Sequence, residues 1–441
     1  MNLHNWYGLL TNYNREINEN LSFNFGADAR YYNGLHFRAP TDLLGSAGKE
    51  TTSAFSGTYV VNDIYGGYNP WSAVFNANDS NTQRVGYDYE EVITYIGGFG
   101  QLEYSQDAFS TFLQGAVSNQ SYVKEDFWNF ETAEKSEKLN KIGFNVKGGL
   151  GYALAENQKV YANAGYYSRQ PFLDNIFESI RTSNNLITPE VDNESVLGFE
   201  LGYALDNPKY DMNINLYHTT WGNRTIVSSF TDSTTQETTT TVLRGVEQTH
   251  MGVELDLMYK ITDYAKLGAF VSVGDWNYGQ NVDATIYDDD GNISEGDLTY
   301  YLDERKVGGA AQTTGGWNVE VKPLKDLSFD LSQRFYTNIY SNVGATTDES
   351  NSDFWSDENN AGPIKLPGYS LFDLGATYKW KLGGKKDLTF RFNVNNLTDA
   401  FYIEYSNGTD RGGDTWKGVS TSNNVEIGFG RTWNGSVRFN F

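Results

Sequence analysis

The chain ends on a strand that declares its own solvent. In the last residues, Trp433, Val437, Phe439 and Phe441 fall on one side of a period of two, and Asn434, Arg438 and Asn440 fall on the other. Successive side chains of an extended strand point to opposite faces, so one face is aromatic and the other polar. Such a strand fits where hydrocarbon lies on one side and water on the other. Its backbone groups must then be paired by neighbouring strands, because lipid offers them no partner. The fold class that satisfies both demands is all-β, an antiparallel transmembrane β-barrel.

The same alternation recurs through the chain. Leu388, Phe390, Phe392 and Val394 oppose Thr389, Arg391 and Asn393; Met251, Val253, Leu255 and Leu257 oppose Glu254 and Asp256. Phe372, Leu374, Ala376, Tyr378 and Trp380 oppose Asp373, Thr377 and Lys379. A helix would place residues three and four apart on one face, and these runs do not fit that period.

Two kinds of connection alternate between the runs. Short turns rich in Asn, Asp, Gly, Pro or Lys are predicted at 15–20, 105–107, 155–158, 206–208, 262–264, 323–326 and 383–386. Long polar segments are predicted at 36–89, 124–138, 170–193, 229–241, 281–303, 341–365 and 405–423. Loops beyond ~15 residues are uncommon inside compact domains. Membrane barrels have this asymmetry as a rule, with short periplasmic turns and long extracellular loops.

Composition supports the same class. Mean hydropathy is −0.54 and no run of ~20 apolar residues offers a membrane helix. Yet aromatics reach 15 %, with 31 Tyr, 26 Phe and 10 Trp, as expected of rings that girdle both membrane interfaces. The net charge of −23 argues against nucleic-acid binding, which rests on basic patches. The absence of Cys removes disulfides, thiolate metal sites and Cys nucleophiles together.

The count is about fifteen strands, the first near His4 to Asn14. Single-chain bacterial barrels have even numbers, so the expectation is a partial wall that begins partway round. At ~4.8 Å per strand such a wall is an arc of about 70 Å with two bare edges. The opening residues Met1 to Trp6 contain neither the basic nor the apolar region of a signal peptide, and no plug domain is recognisable.

No catalytic constellation or metal site is expected. His4, His36, His218 and His250 lie on separate strands or loops, without a nucleophile-elbow context. Gly148, Gly149 and Gly151 lie in an alternating strand, where flatness for close packing explains them better than a phosphate cradle. The acidic run from Asp288 to Glu295 fails as a calcium loop, since Ile286 stands at its first ligand position. A hairpin turning at Asp290 and Gly291 is the expectation there. Ligand contacts are expected from rings and hydrogen-bonding groups clustered in the loops: Tyr65, Tyr68 and Trp71, then Arg169, Gln170 and Phe172. Arg169 could meet an anionic ligand.

These runs carry a resemblance. Phe392-Asn393-Val394-Asn395-Asn396-Leu397-Thr398-Asp399 followed by Tyr402 resembles the penultimate-strand motif of the TonB-dependent outer-membrane receptors, especially of the Bacteroidetes type. Gly428 to Trp433, leading to Arg438-Phe439-Asn440-Phe441, resembles their final strand. Tyr166 to Phe172, then Leu186 to Glu190 and Leu197 to Glu200, looks like their mid-barrel motif. The resemblance implies 22 strands around a plugged lumen, of which residues 1–441 would be the C-terminal part. It implies TonB-energised uptake of a scarce ligand such as a siderophore or glycan, and no cofactor. Implied partners are the TonB-ExbB-ExbD complex, outer-membrane lipid, a possible lipoprotein lid, and the barrel-assembly machinery, which would read Trp433, Val437, Phe439 and Phe441. The location implied is the outer membrane of a Gram-negative bacterium. The alternative kept open is a self-contained passive channel or adhesin.

Overall fold

In the computed structural model of the chain, the described residues are 1–53, 57–66, 84–231, 238–288, 292–343 and 349–441. Fifteen long strands among them form one antiparallel sheet. They are β1 (Asn2–Asn18), β2 (Leu21–Phe37), β3 (Asp88–Gln106), β4 (Phe109–Asp126) and β5 (Leu139–Ala155). Next come β6 (Gln158–Arg169), β7 (Glu194–Asp206), β8 (Tyr210–Thr231), β9 (Thr238–Thr262) and β10 (Ala265–Tyr278). The rest are β11 (Ala311–Leu324), β12 (Leu327–Tyr340), β13 (Tyr369–Gly383), β14 (Lys386–Asn395) and β15 (Thr432–Asn440).

Each strand pairs with its neighbours in sequence, so the sheet is a simple meander. All seven predicted short turns join strands at one end, and the seven long segments emerge at the other. Among the described residues, β1 pairs only with β2 and β15 only with β14. Neither edge strand has a second partner among the described residues.

Register makes the faces uniform across the sheet. Trp433, Val437 and Phe439 stand opposite Val394, Phe390 and Leu388, which in turn align with Leu374, Tyr378 and Trp380. The apolar face stays in solvent contact: Leu9 is 66 %, Ile142 67 % and Trp433 74 % exposed. A soluble protein rarely leaves so continuous an apolar surface uncovered, whereas a bilayer covers it. The opposite, inner face is polar. Asn393 Nδ2 donates to Asn434 Oδ1 at 2.8 Å, and Arg334 to Asp373 at 2.7 Å.

The glycines of β5 serve close packing, as the sequence suggests. A Cβ on Gly149 would fall 2.3 Å from Asn163 Oδ1, and one on Gly151 2.5 Å from the Lys159 side chain.

Buried cores lie among the long loops and the strand ends beneath them. One joins Tyr122, Phe177, Ile187 and Val242. Another joins Leu243, Val246, Tyr278 and Leu302 around Trp355 of a short helix, Glu349–Ser356. The loop after β10 forms an antiparallel hairpin, Val282–Tyr287 with Ile293–Tyr300. Its predicted turn at Asp290 and Gly291 lies outside the described residues. The described parts of these loops are therefore folded, with apolar interiors of their own.

Candidate functional site

Charge gathers on the inner face where β1 to β7 meet the long loops. Arg169, the last residue of β6, stands in register with Glu194, the first of β7, and its Nη1 donates to Glu194 Oε2 at 3.3 Å. The same guanidinium lies 4.2 Å from the centre of the Phe172 ring. Gln170 Nε2 donates to Ser118 Oγ at 2.9 Å, and its amide fills the space above Gly143. Two of the six predicted contact residues, Arg169 and Phe172, thus form one arrangement, and Gln170 is held by partners of its own. The cation is held by a neighbouring carboxylate and an exposed ring, so an incoming anion would compete with Glu194.

Tyr65 belongs to a different contact, its ring edge-on to Phe37 at 5.7 Å. Tyr68 and Trp71 lie outside the described residues.

Beyond Phe172 the chain makes one 3-10 turn, Leu173–Asn175, and folds back over the wall. Burial of Leu173, Ile176 and Phe177 against Tyr122 and Val242 drives this return. Hydrogen bonds then fix it. Tyr122 Oη donates to the Pro171 carbonyl at 2.6 Å, and Lys124 Nζ to the Ser183 carbonyl at 2.8 Å. Lys124 is fully buried, and its charge is met by Asp126 at 3.3 Å. A buried lysine persists only where such partners replace water.

Beside this strap the hairpin of β1 and β2 aligns a polar chain that sequence reasoning missed. His4 Nδ1 is 2.7 Å from Tyr32 Oη, and that hydroxyl is 3.5 Å from His36 Nε2. His36 Nε2 in turn lies 3.4 Å from Glu91 Oε2 on β3, and its ring stacks on Tyr89 at 5.1 Å. The two histidine rings meet edge to face at 5.3 Å. Asp174, on the strap, lies within electrostatic reach of Glu91 and His36. Partial desolvation pushes its carboxyl above the usual range and the Glu91 charge adds to the push, while His36 and Arg181 oppose it. The arrangement offers hydrogen-bond donors and acceptors to a polar ligand. Among the described residues no group of three His, Cys, Asp or Glu side chains is placed to hold a metal ion.

A lipid-facing apolar surface, a polar inner wall and a folded cap of long loops define the wall of an outer-membrane β-barrel receptor. The match is specific: the model of the family described as TonB dependent receptor-like, beta-barrel covers residues 2–397, and the chain belongs to that family. The family is one of receptors and transporters of the Gram-negative outer membrane, not of enzymes.

Solved structures agree on the fold. The chain is similar to the copper transporter OprC, with a TM-score of 0.63 and 16 % identity over 98 % of this chain and 56 % of that one. The ferric yersiniabactin uptake receptor FyuA from Yersinia pestis gives a TM-score of 0.59 and 12 % identity over 99 % and 55 %. The ferric-catecholate import receptor Fiu from Escherichia coli K12 gives 0.57 and 14 % over 100 % and 54 %. The chain thus spans about half the length of these structures. No curated protein matches it by sequence.

Proposed function

We propose that this chain forms part of the wall of a TonB-energised receptor that imports a scarce ligand, a siderophore, glycan or similar molecule, across the outer membrane. The observation that carries the reading is the pair of bare edges at β1 and β15 in a sheet of receptor topology. A sheet of this kind is stable in lipid once further strands close it. The relatives of known structure are about twice as long and take up copper or ferric chelates, which supports transport without naming this ligand. In this reading a plug fills the closed barrel and couples it to TonB, ExbB and ExbD, and a lipoprotein lid is a further candidate partner. The rim around Arg169, Gln170 and Phe172, with the loops carrying Tyr65, Tyr68 and Trp71, makes first contact with the ligand. Trp433, Val437, Phe439 and Phe441 serve as the signal for barrel assembly.

Growth of the source bacterium on a panel of sole iron and sole carbon sources tests this. Deleting the gene and deleting TonB should remove growth on at least one shared source. A defect caused by gene deletion but absent from the TonB deletion would contradict energised import and return the passive-channel reading.

A further inference from the structure

The short turns do not share one charge. The first three carry Glu19, Asp107 and Glu156, whereas the last two carry Lys325 and Lys385. Those last two turns are neighbours: the Lys379 backbone N–H donates to the Asp326 carbonyl at 2.8 Å, and Lys381 Nζ lies 3.0 Å from Asp326 Oδ1. The carboxylates around them are already engaged. Asp326 is held by Lys381, Asp387 accepts from Asn440 at 2.7 Å and lies 3.0 Å from Lys379, and Glu320 lies 2.9 Å from Lys322. Lys325, Lys385 and Lys386 are exposed, and none has an ion-pair partner among the described residues. In a chain of net charge −23, three such ammonium groups at two adjacent turns are a local reversal of sign.

Position selects the partner. Lys386 stands opposite Gly383 and lies on the same side of β14 as Leu388, Phe390 and Phe392, the lipid-facing side. On that side, at the same end of the wall, Leu324, Trp380 and Leu382 are 64 %, 51 % and 47 % exposed. This end carries the short turns, so it meets the periplasmic leaflet of the outer membrane. A lysine beside lipid-facing rings and aliphatic chains lies at the depth of the lipid phosphates, where its stem packs on apolar surface and its ammonium meets an anion. A soluble anion would use the charges and leave the apolar band uncovered, whereas a diacyl phosphate uses both. The two turns are two strand spacings apart, ~10 Å, which is wider than one phosphate but within reach of two phosphates joined by a glycerol.

We propose that the last two short turns, with Lys325, Lys385 and Lys386, form a binding site for an anionic phospholipid of the periplasmic leaflet, and that cardiolipin, a glycerol-bridged pair of phosphates, is its preferred form. The phosphate oxygens accept hydrogen bonds from the three ammonium groups, and the acyl chains lie against Leu324, Trp380 and Leu382. The site is on the lipid side of the wall, away from the ligand path, so it is independent of what the receptor imports.

The test is native mass spectrometry of the gene product purified from outer membranes in detergent. Cardiolipin, phosphatidylglycerol and phosphatidylethanolamine are the probes at equal concentration, with glycerol phosphate and an oligoglutamate peptide as soluble competitors. The expected result is that cardiolipin adducts exceed those of phosphatidylglycerol, and that both exceed those of phosphatidylethanolamine. A lysine beside an anionic lipid surface contributes about fivefold to binding. Lys325→Gln, Lys385→Gln and Lys386→Gln together should therefore weaken cardiolipin binding by at least about tenfold. The same three positions changed to Arg should keep it, and Lys209→Gln, in the turn between β7 and β8, should leave it unchanged. Heat-modifiable migration on gels verifies that each variant folds. The proposal is overturned if phosphatidylethanolamine binds as well as the anionic lipids, if the triple Gln variant keeps the preference, if Lys209→Gln loses it equally, or if either soluble competitor displaces cardiolipin. Equal binding of phosphatidylglycerol and cardiolipin overturns the two-phosphate preference. Lipid binding needs neither TonB nor a transported ligand, so its failure and a failure of the import reading are separate.

Discussion

Arg391 on β14 and Asp330 on β12 form a two-pronged ion pair that passes over the intervening strand β13, with Gly375 directly beneath it. Both prongs are hydrogen bonds, the Nη2 to Oδ2 one at 2.8 Å, and Arg391 also donates to Thr377 at 3.0 Å and Asn393 at 2.7 Å. Three strands are thereby tied on their lumenal side.

Gly375→Ala should break that tie. Its Cβ would lie 2.1 Å from Arg391 Nη2 and 2.4 Å from Asp330 Oδ2, so the pair must separate. Overpacking of this kind costs ~1–3 kcal/mol. Gly435→Ala meets its nearest atom at 3.7 Å and is the control. Denaturant midpoints of the detergent-purified gene product should drop for the first variant and hold for the second; equal midpoints would refute the account of the pair.

Lys124→Met should loosen the strap after β6. Lys124 holds the Ser183 carbonyl and Asp126, while Asp126 keeps bonds from the Trp128 and Asn129 backbone N–H groups and the Asn129 side chain. Because Asp126 retains these donors, the expected cost is ~1–3 kcal/mol rather than that of a stranded charge. Limited proteolysis should cut between 171 and 190 in the variant before any wall strand is cut. An unchanged digestion pattern would show that apolar packing alone holds the strap.

Asp174 makes the strap sensitive to pH. Its carboxyl titrates above the ordinary range, so the folded strap binds the proton more tightly than the unfolded chain does. The stabilisation is therefore full below the ordinary carboxylate pKa and is lost as pH rises through the raised value. Amide exchange in 171–178, corrected for intrinsic rates, should be slower in mild acid than at neutrality. Asp174→Asn should flatten that difference. Faster exchange in acid would reverse the assigned sign.

Much of the wall was legible because its signals are local. A two-residue period and turn-forming residues need no knowledge of distant partners, so the seven turns and the outward positions of Phe390, Val437 and Trp433 follow from inspection. The site was less legible. Arg169, Gln170 and Phe172 could be recognised as a cluster, but not that Glu194, 25 residues away, holds the guanidinium. His4 and His36 looked unrelated in sequence. The hairpin pairs Asn2 with His36 and His4 with Gly34, and this register brings them together. That turn was predicted, so counting pairs outward from it could have found the histidine contact. The Trp276 to Tyr217 hydrogen bond spans three strands at once, and no single stretch carries it.

The central claim, that this chain is an open part of a larger wall, is tested most directly by expressing residues 1–441 alone and refolding them in detergent. β1 presents 17 residues and β15 presents 9 at the two bare edges. Each unpaired backbone group exposed to hydrocarbon costs several kcal/mol, and a handful outweighs the ~5–15 kcal/mol net stability typical of a folded domain. The account predicts edge-to-edge aggregates, or heterogeneous small barrels, with no uniform conductance in planar bilayers. A heat-modifiable monomer giving one stable conductance would contradict it and show that the wall closes by itself.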